Sequence, residues 1–408
     1  MKQASQHIVI TGIGIISSIG VGKEDFWDGL KKGSSGIGEI TLFDTSAMDI
    51  TIGGEIRNFE PKNFLGKKGL RLLDRATKLV CSASKMALDD ARLHISDDNT
   101  YETGLVLGST LGYIESFYNF QKDALYEGPH YVNPALFPNS VYNAPASHIS
   151  IRFYIKGLNS TISTGYTSTI DALRYAISFL KLGRLKSIVL GTVESLSLPA
   201  FRGSYQSGLM AKETLLSCPF DKRRSGFICG EGAAVFVIET KESAIKRNAP
   251  VYGEIAGIGS GITLSTGNNH QDSRSLIKAM NQALTQSHFR PQDIDYICAH
   301  ANSTKEIDRA EAQAIKSVFG HYAQTVPVSS IKSMIGETYS AGSALSLCAA
   351  LGGLEKGFIP PTINYKQHDP ECDLNCVPNK SIKSNIKTVM VNAMNPEGTS
   401  ASLIVSRY

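Results

Sequence analysis

Tyr166 is the side chain in this sequence that is placed where chemistry is done. It stands in Ile162 to Gly183, ISTGYTSTIDALRYAISFLKLG, where a turn of small residues runs straight into an apolar helix. The preceding GLNSTIST is β-branched enough for a strand; Ile170, Leu173, Ile177 and Leu180 then recur at helical spacing, and Gly183 supplies the stop. Strand, tight turn and buried helix present one residue at the positive end of a helix dipole, where unpaired backbone N–H groups stabilise a thiolate or an oxyanion. Tyrosine suits that place poorly. A phenol ordinarily titrates near ~10, several units too high for an acyl-carrying nucleophile at neutral pH.

The elements that position this turn must come from a chain of 408 residues, long enough for a duplicated or two-part core. Charged residues make up 19% and there are 37 glycines, which predicts a large core with many close backbone contacts. A net charge of +4 is too small to argue for nucleic acid. The seven cysteines are scattered; Cys372 and Cys376 have no second Cys or His pair to complete a zinc site, so no metal is expected and the thiols read as buried and cytosolic. No run approaches ~18 apolar residues and the N-terminus lacks a signal-peptide pattern, which gives a cytoplasmic expectation with no membrane partner.

In chain order, IVITGIGIIS reads as a buried strand whose Gly12 and Gly14 let another backbone pack closely. A dinucleotide fold is excluded there, because the third glycine and the later acidic residue of that fingerprint are missing. Asp74 to Leu93 is an amphipathic helix with Cys81 on its apolar stripe, a core residue rather than a displaced nucleophile. TGLVLGS is a second strand, followed by an aromatic-rich helix around Tyr113, Phe117, Tyr118, Phe120 and Tyr126, read as a core or interface element. From Val251 the chain repeats itself: VYGEIAGIGSG echoes IVITGIGIIS, and SSIKSMIGETYSAGSALSLCAALGGLEKG echoes the elbow, ending at Gly357.

These motifs resemble the β-ketoacyl synthases, the condensing enzymes of fatty-acid and polyketide synthesis. Thr164-Gly165-Tyr166 sits on the family's Thr-Ala-Cys, with the cysteine replaced. Pro219, Phe220, Asp221, Gly226, Phe227, Gly230, Glu231 and Gly232 match its Pro-Phe-Asp, Gly-Phe and Gly-Glu-Gly signatures. The first histidine motif, His-Gly-Thr-Gly-Thr, reads His300-Ala301-Asn302-Ser303-Thr304; the second, Lys-Ser-x-x-Gly-His, reads Lys332-Ser333-Met334-Ile335-Gly336-Glu337. The closing Gly-Phe-Gly-Gly loop reads Asn392-Ala393-Met394-Asn395-Pro396-Glu397-Gly398, where Pro396 fixes its own φ and removes an N–H. The resemblance implies an α/β, five-layered αβαβα thiolase fold built from two duplicated halves, 1–250 and 251–408, with an interface and tunnel insert at about 111–147.

The family's cysteine carries the acyl chain, and its two histidines donate hydrogen bonds to the thioester carbonyl as an enolate develops. Here Tyr166, His300 and Glu337 hold those positions; an ionised Glu337 only accepts hydrogen bonds and would repel the enolate. Lys332, Asp308 and Glu311 are read as a retained polar network and His300 as a satisfied core histidine. The expectation is therefore a non-catalytic subunit, most like a chain-length factor that heterodimerises with an active ketosynthase α subunit and helps set polyketide chain length. By the same resemblance Ile114, Phe117, Gln121, Leu111 and Leu136 reach toward the partner's tunnel. No cofactor is expected, since acyl chains arrive on the phosphopantetheine arm of an acyl carrier protein. Two alternatives stay open: a divergent active acyltransferase or ketosynthase using His300 with Tyr166, Ser163 or Thr167, and a homodimeric acyl-binding pseudoenzyme.

Overall fold

The computed structural model describes residues 7–212, 216–263 and 272–408. The opening strand, β1 (Ile8–Ser17), is buried along its whole length. It begins a row completed by β2 (Thr103–Gly108), β3 (Asn159–Ile162), β4 (Ser187–Glu194) and β5 (Gly232–Thr240). The second row consists of β6 (Gly253–Ile262), β7 (Tyr296–Cys298), β8 (Val328–Ser329), β9 (Thr388–Met394) and β10 (Thr399–Ser406). The order across both rows is β8-β7-β9-β10-β6-β1-β5-β4-β2-β3. Each row pairs antiparallel from its first strand through the next two and then parallel out to its edge. The rows meet where β1 pairs with β6 at Val9–Glu254 and Ile10–Gly253. The echo seen in the sequence is thus a repeated topology.

Period-2 alternation decides how many layers form. On β4, Ile188 and Leu190 face the inner core while Val189 and Val193 face an outer one. On β9, Val389 and Val391 face inward and Met390 outward. Both sheets are therefore covered on both faces. The shared inner layer holds the helices α4 (Ser168–Lys181) and α7 (Ser340–Lys356), and α7 touches strands of both rows. Every residue of α7 from Ser340 to Leu354 is buried, as expected of a helix apolar all round. The outer faces carry α1 (Arg75–Asp90) and α3 (Ala144–Phe153) on one row, and α5 (Arg274–Ser287) with α6 (Lys305–Phe319) on the other. The result is the five-layered αβαβα arrangement.

Two glycine pairs show how closely the outer layers sit. A Cβ on Gly14 would stand 1.9 Å from the carbonyl oxygen of Ala83 on α1; one on Gly259 would stand 1.8 Å from that of Ala279 on α5. The corresponding strand of each half gives up a side chain so that a helix can rest on bare backbone. Cys81 on α1 is fully buried, and burial pushes its thiol up to about 12, so it is no nucleophile. Among the described residues no helix is long and apolar enough to cross a membrane.

Candidate active site at the elbow

The strand β3 ends at Ile162, and a short 3-10 turn, Gly165–Thr167, turns the chain into α4. Gly165 makes the turn with a φ of 71°, in the left-handed region. Tyr166 is consequently nearly buried, in a cluster with Leu196, Phe201, Met210, Phe227, Cys229 and Tyr339. Burial, with the Glu337 carboxylate adding to it, pushes the Tyr166 phenol well above its ordinary value. It is held as a neutral hydroxyl. The thiol of Cys229, buried in the same cluster, is pushed up to about 12 by burial and does not replace the missing thiolate.

The turn itself is not open, contrary to the sequence expectation of unpaired N–H groups. The Tyr166 N–H donates to Asn395 Oδ1 at 2.5 Å, and the Thr164 N–H donates to Ser168 Oγ at 3.0 Å. Asn395 belongs to the tight connection between β9 and β10, closed by Gly398 N–H to Asn395 O at 3.1 Å and Asn395 N–H to Thr399 O at 2.8 Å. A helix N-terminus satisfied from within the chain offers an anion less than an empty one.

Opposite the elbow, the loop after β7 brings in His300 and the short helix Lys332–Ile335 brings in Lys332. The His300 ring lies 5.8 Å from the Tyr166 ring between centroids, and Lys332 Nζ lies 5.9 Å from the centre of the Tyr166 ring. Lys332 Nζ is 3.0 Å from His300 Nδ1 and 3.4 Å from Nε2. An ammonium can only donate, so the shorter contact assigns Nδ1 as the acceptor and Nε2 as the N–H of the neutral ring. Burial and then the Lys332 charge hold His300 well below the ordinary imidazole value, so the ring is neutral. His300 therefore offers an N–H and no free basic nitrogen.

Glu337 corrects the sequence reading. It does not stand bare in the site: Oε2 accepts from Lys332 Nζ at 2.8 Å and from Asn302 Nδ2 at 2.8 Å, while Oε1 accepts from the Tyr339 N–H at 2.9 Å. Lys332 is its counterion, and Oε2 also stands 4.0 Å from His300 Nε2. Asn302, in the altered histidine motif, and Tyr339, held at a φ of 48°, were not identified from the sequence as part of this arrangement. No local propensity marks Tyr339, because the turn before α7 imposes that conformation.

Beneath these groups, Glu311 accepts from the His300 and Ala301 N–H groups at 2.9 and 2.7 Å and from Asn392 Nδ2 at 3.0 Å. Asp308 accepts from Asn302 and Phe220 N–H at 2.9 and 2.8 Å. Burial pushes the Asp308 carboxyl up to about 7 and raises that of Glu311. The two acids fix the backbone of the histidine loop.

A third buried acid, Glu194 at the end of β4, supports the elbow from the other side. It accepts from the Thr110 and Leu111 N–H groups and from Ser340 Oγ, and burial pushes its carboxyl up to about 7. The folded chain keeps this proton between the unfolded value of ~4.3 and about 7, so Glu194's contribution to stability is complete at low pH and lost as pH rises through that window. The Glu194→Gln variant is expected to gain on the order of 3 kcal/mol on the wild type between about pH 4 and pH 8. Urea unfolding at the two pH values measures it; an unchanged difference would contradict the assignment.

The proposed tunnel residues separate. Leu111 packs against the cluster around Tyr166. The helix α2 (Ile114–Tyr126) has no buried residue: Phe117 is 42% exposed and Gln121 is exposed beside it, with Ile114 half-buried. Leu136 is 39% exposed in the following segment. Phe117 and Gln121 thus face outward from this chain.

The N-terminal domain of the β-ketoacyl synthases matches residues 5–244 and their C-terminal domain residues 252–366. The 3-oxoacyl-[acyl-carrier-protein] synthase 2 of Coxiella burnetii is 34% identical over 413 residues, covering 98% of this chain and 99% of that protein. The ishigamide ketosynthase/chain length factor superposes with a TM-score of 0.93 at 29% identity, over 99% of this chain and 100% of the other. AntDE:AntF, a type II acyl-carrier protein in complex with its ketosynthase, gives 0.88 at 26% identity over 99% and 100%. The full-length relation to proteins named as synthases overturns the expectation of a non-catalytic chain-length factor.

Proposed function

The chain belongs to the β-ketoacyl synthase family, and we propose that it is a divergent, active member that acts on carrier-bound acyl thioesters by forming an enolate against His300 and Lys332. The observation that carries this reading is the Lys332–His300 contact at 3.0 Å, which leaves a neutral ring with its proton on Nε2 next to an ammonium. The ammonium is paired with Glu337, so the ring N–H is the group that donates to an oxyanion, and it accepts no proton. It therefore favours chemistry that begins by loss of CO2 over chemistry that begins by deprotonating a phenol.

In that step the C–C bond to the carboxylate of a malonyl-type thioester breaks, CO2 leaves, and the electron pair moves into the enolate whose oxygen the donors hold. The enolate carbon then attacks the carbonyl of a second acyl thioester, expelling its thiolate, or takes a proton. Neither outcome requires an acyl group on residue 166. The acyl chains come on the phosphopantetheine arm of an acyl carrier protein, and no bound cofactor enters the step. A second ketosynthase-family chain is the other partner on this reading, seated along the edge strand β3 and the exposed apolar side chains near it, such as Ile151 and Tyr154. The test is CO2 release from a malonyl-loaded carrier protein by the purified chain, alone and with the co-purifying partner. Release above the uncatalysed rate is expected; none in either preparation would contradict the reading.

A further inference from the structure

We infer that Asn395 fills the elbow's carbonyl-binding position with its own side-chain amide, so that acyl groups are not carried at position 166. The inference deepens the function proposed above and rests on it for the substrate class. An acyl group attached to residue 166 would need a donor for its carbonyl oxygen, and the nearest preorganised one is the N–H of that same residue in the turn before α4. That N–H is already donated to an amide carbonyl, Asn395 Oδ1, at 2.5 Å.

The occupancy is built in from several sides. Asn395 Nδ2 donates to Thr164 O at 2.8 Å and to Thr399 Oγ1 at 2.5 Å, so one side-chain amide bridges the strand end and the elbow turn. Asn395 is 4% exposed. A Cβ on residue 165 would stand 2.4 Å from Asn395 Oδ1 and 2.8 Å from Nδ2, so the amide fits only because Gly165 has no side chain. Gly165 and Asn395 together act as a single device. Pro396 stiffens the connection that holds Asn395, because its φ is fixed. The elbow amide is thereby kept from substrate, and position 166 is free to be a residue that carries nothing.

The experiment supplies the missing nucleophile and then removes the plug. Tyr166→Cys and the double variant Tyr166→Cys/Asn395→Gly are incubated with octanoyl-pantetheine, and the mass of the intact protein is followed with time. The introduced thiolate attacks the thioester carbonyl, the tetrahedral oxyanion forms, and the pantetheine thiolate leaves. The double variant is expected to acylate about 10²-fold faster than the single, the usual worth of one oxyanion donor. Equal rates, or no acylation of either variant, would overturn the inference. Native mass and thermal melting of both variants establish that each is folded, and Tyr166→Cys/Asn395→Ala keeps the test open if the glycine loosens the turn. Absence of CO2 release in the wild type would count against the functional reading alone, because the acylation comparison does not use that reaction.

Discussion

Replacing His300 with alanine is expected to slow CO2 release from a malonyl-loaded carrier protein by about 10²–10³-fold, the loss that follows removal of one preorganised donor. The ring is the donor best placed to show it. Its N–H is assigned to Nε2 by the shorter Lys332 contact at Nδ1, and its backbone is fixed by Glu311, so little reorganisation is needed when the enolate forms. The loss should fall on kcat more than on KM, since the interaction is made with charge that develops only in the transition state. Steady-state rates over a range of carrier concentrations measure the division. A variant within about threefold of wild type would remove His300 from the mechanism.

Glu337→Ala is expected to destabilise the fold by about 3–5 kcal/mol, because it leaves a buried ammonium without its counterion. Lys332 and Glu337 are 3% and 0% exposed at their side chains, so water cannot take the place of the lost carboxylate. Asn302 Nδ2 and the Tyr339 N–H lose their acceptor in the same step. The double variant Lys332→Met/Glu337→Leu removes both charges and should recover much of that loss while leaving CO2 release abolished. Denaturant unfolding of Lys332→Met, Glu337→Leu and the double variant forms the cycle that measures the pair. A Glu337→Ala protein as stable as wild type would mean that the ion pair contributes nothing to holding the loop.

Much of the fold was legible because its signals are local. IVITGIGIIS alternates faces along one strand, and its glycines mark the approach of a helix that the structure places against Ala83 and Ala87. The repeat from Val251 onward showed as a second copy of that pattern, and the elbow showed as a strand, a turn of small residues and a buried helix. The site was legible in its residues and illegible in their pairing. Glu337 was read by its type, as an acceptor, whereas its behaviour follows from Lys332 five residues earlier, which the turn at Gly336 folds back within 2.8 Å. Asn395 lies 229 positions from Tyr166, and nothing in the Asn-Pro turn announces that its amide closes the elbow. The lone signal was Gly165, a residue smaller than the alanine of the motif it otherwise resembles. The loss of the cysteine told which step could not occur at position 166. It did not tell that the enolate-forming half of the chemistry was lost, and the full-length synthase relatives set that reading aside.

The most direct measurement of the central claim is the mass of the carrier-bound products after the purified chain, with any partner that accompanies it, has been incubated with a malonyl-loaded and an acyl-loaded carrier protein. Malonyl-carrier is expected to be consumed over many turnovers and converted to a decarboxylated acetyl- or 3-oxoacyl-carrier, with no acyl group left on the chain itself. Malonyl-carrier recovered intact would contradict it, as would an acyl group found on Tyr166 as an obligatory intermediate.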